Sequence, residues 1–104
     1  MTTRQEIHLG DIGTVITGVF RNAAGPVDVS GALAKQIILS KPGGTERLVK
    51  TAEFTTDGTD GSVQYTAVEG DLDTVGVWKI QGFVRTPSGE WWSQIQTFRV
   101  YPNL

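Results

Sequence analysis

The stretch GVWKIQGFVRTPSGEWWSQIQTFRVY, Gly76 to Tyr101, decides the fold class. Its first half alternates. Trp78, Ile80, Gly82 and Val84 fall on one face of an extended chain, and Val77, Lys79, Gln81 and Phe83 fall on the other. Thr86-Pro87-Ser88-Gly89 supplies turn chemistry, and the β-rich run from Trp91 to Tyr101 follows, so the pattern predicts a hairpin with the Trp78 face toward the core. In the returning strand Phe98 and Val100 point one way, and Thr97, Arg99 and Tyr101 the other. Carrying the Phe98 parity backwards would bury Gln96, Gln94 and Trp92, at about 1 to 3 kcal/mol for each unpaired amide. One extra residue reverses the facing of everything before it, so a β-bulge is expected near Gln94 to Gln96.

Working outward, thirteen glycines and four prolines gather at Asn22 to Pro26, Pro42 to Thr45, Asp57 to Gly61 and Pro87 to Gly89. Short β-rich runs lie between them. Thr14 to Phe20 has apolar residues on both faces and reads as a strand covered on both sides. Val27 to Val29 reads as a short strand, Lys35 to Ser40 as a longer one, and Pro42-Gly43-Gly44-Thr45 turns it into Arg47 to Phe54. Ser62 to Thr66 is a further strand. Ala67 to Asp73 is a crossing loop or a single helical turn, too short for a freestanding helix. The pattern is that of an all-β sandwich or barrel. The 104 residues make one domain, 7–104, preceded by a loose N-terminus at 1–6.

Composition narrows the function classes. With 38% hydrophobic and 19% charged residues the chain lies in the globular range. A net charge of −2 provides no basic field for phosphates or anionic lipid, so neither nucleic acid nor membrane is an expected partner. The longest apolar runs, such as Ile37-Ile38-Leu39, are far short of the about 20 residues of a membrane span. Met1 to Glu6 lacks the apolar stretch of a secretory signal, which implies synthesis in, and no signal-directed exit from, the cytoplasm. Cysteine is absent, which excludes disulfides and thiolate chemistry.

Few residues suggest a site. His8 is the sole histidine and has no nucleophile or orienting carboxylate in a recognisable arrangement nearby, so it reads as a surface residue. Asp57-Gly58-Thr59-Asp60-Gly61 resembles part of a calcium loop but lacks the intervening ligand, and the twelfth position is Val68 rather than Glu; it reads as a turn. Glu69-Gly70-Asp71-Leu72-Asp73 reads as a solvated loop with a capping aspartate. Gly10-Asp11-Ile12-Gly13 lacks phosphate-loop spacing and reads as a turn. No catalytic, cofactor-binding or metal residue is therefore expected. Trp78 reads as core. Trp91 and Trp92 face opposite sides of their strand, so one of them must lie near a surface, where tryptophan is enriched at protein interfaces and also stacks on sugars.

Taken in order, LGDIGTVITGVF, GPVDVSGA, IILSKPGGT, TTDGTDGSVQYTA, GDLDTVGVWKIQGFV and TFRVYP resemble the N-terminal immunoglobulin-like domain of phage baseplate upper proteins, from about Leu9 to Pro102. The resemblance implies an immunoglobulin-like antiparallel β-sandwich of about seven strands. It also implies a non-enzymatic module of the virion, made in the host cytoplasm, that assembles with other phage virion proteins and with further copies of itself. It supplies no catalytic residue. Family members continue past this domain, whereas this sequence stops at Leu104, so a neck or capsid-decoration role stands as an alternative. The expected interface combines the Trp91 and Trp92 hairpin end with an open strand edge from Val27 to Val29 or from Ile7 to Leu9. Two rival readings stand beside it: a carbohydrate-binding module that uses the same tryptophans, and a hydrolase built on Glu69, Asp71 or Asp73.

Overall fold

The computed structural model describes residues 7–44 and 46–104. The expected loose segment 1–6 lies outside the described residues. Those that are described form eleven strands and no helix, as the turn spacing predicts. In chain order the strands are β1 (Ile7–His8), β2 (Val15–Val19), β3 (Arg21–Asn22), β4 (Gly25–Pro26), β5 (Ala34–Ser40), β6 (Arg47–Thr51), β7 (Glu53–Phe54), β8 (Ser62–Thr66), β9 (Gly76–Thr86), β10 (Gly89–Trp92) and β11 (Gln96–Tyr101). The largest sheet runs β1-β11-β9-β5-β6, with β10 also on β9. A second sheet is β2-β8-β7, and β3 and β4 form a small hairpin. The large sheet is mixed, because β1 runs parallel to β11 while its other pairs are antiparallel.

The alternation in β9 sets the inner face. Trp78, Ile80, Gly82 and Val84 are buried, and Val77 and Lys79 on the other parity are exposed. Ile37 and Leu39 of β5 and Val100 of β11 share that inner face, which meets Ile16 and Val63 of the second sheet in one core cluster. Glycine lets the sheets close on each other. A Cβ on Gly18 of β2 would lie 3.2 Å from Cδ1 of Ile37 and 3.5 Å from Cα of Gly82, and one on Gly82 would lie 3.0 Å from the ring of Phe20. Trp78 is fully buried, stacks on Phe98 with ring centroids 5.9 Å apart, and donates its indole N–H to the carbonyl of Thr74 at 2.8 Å. Its polar atom therefore costs nothing in the core.

The expected bulge is present. Trp92 pairs with Phe83 and Gln96 with Ile80, so three residues, 93–95, face only two, 81–82. The register slips by one, which turns Trp92 outward and Phe98 inward. Ser93 stitches the break: its hydroxyl accepts the Gly82 N–H at 2.7 Å and its own N–H donates to the Gly82 carbonyl at 2.9 Å.

Three strand expectations need correction. Thr14 to Phe20 is covered on one face only: Ile16, Gly18 and Phe20 are buried, but Val15 is 53% exposed, and among the described residues no strand lies outside β2. Arg47 to Phe54 is not one strand. It breaks at the buried Ala52, whose N–H donates to the carbonyl of Lys35 at 3.0 Å, and β7 then joins the second sheet. Val27 to Val29 is not a strand at all. Its amides are taken by carbonyls outside any ladder, Val27 by Phe20 and Val29 by Gly58, each at 2.8 Å.

Candidate functional site

The β9–β10 hairpin turns through Pro87 and Ser88, and register places Trp91 opposite Val84 and Trp92 opposite Phe83. Successive residues of a strand face opposite sides, so the two indoles serve two surfaces. Both are exposed, Trp91 by 40% and Trp92 by 59%.

Trp91 lies on the parity of the core but past the core's end. Its ring rests on Gly89, where a Cβ would come within 3.2 Å of it. There it lines an open depression of about 530 Å³ together with Val27, Val29, Ser30, Pro87 and Ser88. Three of the four residues expected at the interface are thus brought together, although Val27 and Val29 lie far from Trp91 in the chain. They do not contribute as an open edge. Val29 is 1% exposed, and both valine amides are already bonded. The loop above them is held by Asp28, whose carboxylate accepts the hydroxyl of Ser30 at 2.6 Å and its N–H at 2.9 Å. Those two bonds, the hydroxyl's first, hold the Asp28 carboxyl below the usual range.

Trp92 lies on the outer face of the large sheet, tilted against Phe83 with centroids 4.7 Å apart. It borders a second groove with Ile38, Val49 and Ile95. Sequence reasoning missed this surface. The period-2 pattern of β5 and β6 carried the signal, because Ile38 and Val49 sit on the parity opposite Ile37 and Leu39.

The other edge candidate, Ile7 to Leu9, does border the large sheet through β1. Its amides are partly used: the His8 N–H donates to the Asp11 carboxylate at 2.9 Å, and the Leu9 N–H to the Tyr101 carbonyl at 2.9 Å. His8 is half-buried rather than fully exposed, with its ring 6.0 Å from that of Tyr101.

The acidic loop differs from expectation. Asp71 does cap, accepting the Val68 N–H at 2.9 Å, but it is buried, at 4% exposure. Its second oxygen meets the Lys50 ammonium at 3.0 Å, and the Tyr65 hydroxyl donates to the oxygen that caps. Burial raises the Asp71 carboxyl, yet the bonds from Tyr65, Val68 and Lys50 together outweigh it and hold the group below its ordinary value. Burial first, and the bond to Asp71 second, push the Tyr65 phenol up to about 12. Asp73 is engaged by Lys41 at 3.0 Å, and Glu69 is exposed. Asp71 is therefore committed to holding the β8–β9 crossing against β6, and its oxygens are spoken for.

Asp57 to Gly61 joins β7 to β8 as a turn. Asp57 accepts the Thr59 N–H at 3.0 Å and its hydroxyl at 2.6 Å, and Gly58 and Gly61 take positive φ of 87° and 74°. Gly10 and Gly13 likewise adopt positive φ in the turn before β2. Among the described residues no group of three or more His, Cys, Asp or Glu converges as a metal site.

What fold and surface define is an all-β chain with two exposed tryptophans, each in its own groove. The chain matches no family model and no curated protein.

Proposed function

We propose that this chain is a non-enzymatic immunoglobulin-like module of a phage virion that assembles with other virion subunits. The strand order supports the sandwich reading. β2, β8 and β7 follow the order of strands B, E and D, while β6, β5, β9 and the bulged β10–β11 strand follow C′, C, F and G of a variable-type immunoglobulin domain. The ordered motifs of the resemblance supply the virion setting.

The observation that carries the assembly reading is the meeting of Trp91 with Val27 and Val29 at the hairpin end. A part-exposed indole over an apolar floor, rimmed by hydroxyls and a carboxylate, has the make-up of an interface centre with a polar rim. Repeated copies in the particle would use it in the same way.

Immunogold labelling of phage particles with antibody against this chain tests the proposal. Gold at the tail tip is the expected result. Gold over the head or neck would move the module to capsid decoration or the connector, and unlabelled particles would overturn the virion role.

A further inference from the structure

On the outer face of the large sheet, register sorts the exposed side chains into rows across the strands. Arg47, Ser40 and Lys79 form one row, Val49, Ile38 and Gln81 the next, and Thr51, Gln36, Phe83 and Trp92 the third. A groove of about 490 Å³ crosses these rows, and Ile95 flanks it from the bulge. Val49, Trp92 and Ile95 are exposed by 58%, 59% and 59%.

The charge of this surface is one-sided. Arg47 and Lys79 line the groove, no carboxylate does, and neither cation forms an ion pair among the described residues. The two strand spacings between them put their backbones about 10 Å apart, with the Ser40 hydroxyl midway. That is a basic shelf on a chain whose net charge is −2. Beside it, about 7 Å along the strand direction, the aliphatic row begins.

We propose that this groove docks an extended segment of a partner protein in which a carboxylate lies two residues from a large aliphatic or aromatic side chain. In an extended segment residues two apart share a face at about 7 Å, which matches the step from the Arg47–Lys79 row to the Val49–Ile38 row. The carboxylate sits over Ser40 between the two cations, and the apolar side chain fills the space between Ile38, Val49 and Ile95. Gln36 is placed to bond the segment's backbone, and Gln81, whose amide nitrogen already donates to the Ser93 carbonyl at 2.9 Å, keeps its side-chain oxygen to accept a bond from it. Two cations make too small a field for nucleic acid, and Trp92 is the single aromatic among the described residues that line the groove, so a sugar ring would find one stacking face and no second platform. This surface lies on the opposite side of the hairpin from the Trp91 depression, so the module has two separate attachment faces. The inference goes beyond the virion reading and does not depend on it.

The test uses the isotope-labelled chain and three acetylated, amidated peptides that share a threonine frame around Glu-Thr-Leu, Gln-Thr-Leu or Lys-Thr-Leu. Resonances of β5, β6 and the Trp92 indole should shift with the Glu peptide, which should bind at least fivefold more tightly than the Gln peptide and lose affinity as salt is added. Arg47→Glu with Lys79→Glu should weaken the Glu peptide at least tenfold at an unchanged melting temperature. Arg47→Gln with Lys79→Gln serves if the reversed pair does not fold. Equal affinity for the Glu and Gln peptides, no binding, or shifts confined to Trp91 and its depression would overturn the proposal. So would shifts of the same outer-face signals by N-acetylglucosamine oligomers but not by the Glu peptide, which would mark a glycan site.

Discussion

Asp71 and Asp73 stand two residues apart, and each meets a lysine at 3.0 Å, yet they should differ sharply on replacement. Asp71→Ala strands the Tyr65 hydroxyl, the Val68 N–H and the Lys50 ammonium in a place where the carboxylate itself is 6% exposed. Losing a charge-assisted bond costs about 1.5 to 3 kcal/mol, and leaving a buried partner unpaired costs a similar amount. Two facts reduce the sum. The Lys50 side chain is 28% exposed and can turn to water, and the bond at the Val68 N–H is only part-buried, so water can take the carboxylate's place there. A net loss of about 3 kcal/mol remains, which for a domain near 100 residues lowers the melting temperature by roughly 12 to 24 °C. Asp73→Ala removes a carboxylate that is 47% exposed, and Lys41 keeps Glu46 at 3.4 Å. That change should cost about 0 to 1 kcal/mol. Thermal melts followed by far-ultraviolet circular dichroism, with urea titration of both variants, read the difference. If the two variants melt within about 3 °C of each other, burial is not what distinguishes the pairs, and the anchoring role assigned to Asp71 is wrong.

The same carboxylate sets an acid limit. Because the folded state lowers the Asp71 pKa, its stabilisation is present above the unfolded value of about 4 and drains away as pH falls through the folded value; Asp71→Asn should flatten that part of the stability-against-pH curve in urea titrations. Ser93→Ala leaves the Gly82 N–H without its acceptor inside the bulge and should cost about 1 to 3 kcal/mol, while Ser93→Thr, which keeps the oxygen, should cost less; equal losses by denaturant titration would point to packing instead. Gly82→Val drives methyl groups into the Phe20 ring and should cost about 1 to 3 kcal/mol, measurable as a lower urea midpoint. Trp91→Ala and Trp92→Ala should each leave a cooperative melt within a few degrees of the parent, with Trp91→Ala weakening assembly by about 2 kcal/mol or more in particle reconstitution; a collapse of the melt in both would make the pair core and remove the interface proposal.

Much of this protein was determined by its sequence alone. Period-2 alternation from Val77 to Val84 has one strand-like solution, so the hairpin and the burial of Trp78 follow from side-chain facing. The bulge was legible for the same reason, since an unbroken return strand would have buried two amides. Adjacent tryptophans in one strand had to face apart, whatever covered them. Tertiary structure decided the rest, because it depends on which residues distant in sequence become neighbours. Val27 to Val29 looks like a strand by propensity, yet Phe20 and Gly58 claim its amides. Asp71 looks like one of three solvated acids until β6 brings Lys50 over it and β8 brings Tyr65. The pairing of Trp91 with Val27 and Val29, and of Arg47 with Lys79 across Ser40, exists only through the register and stacking of the sheets. Local pattern sets which face each residue takes, but burial, charge pairing and the grooves are sums over neighbours that only the folded chain assembles.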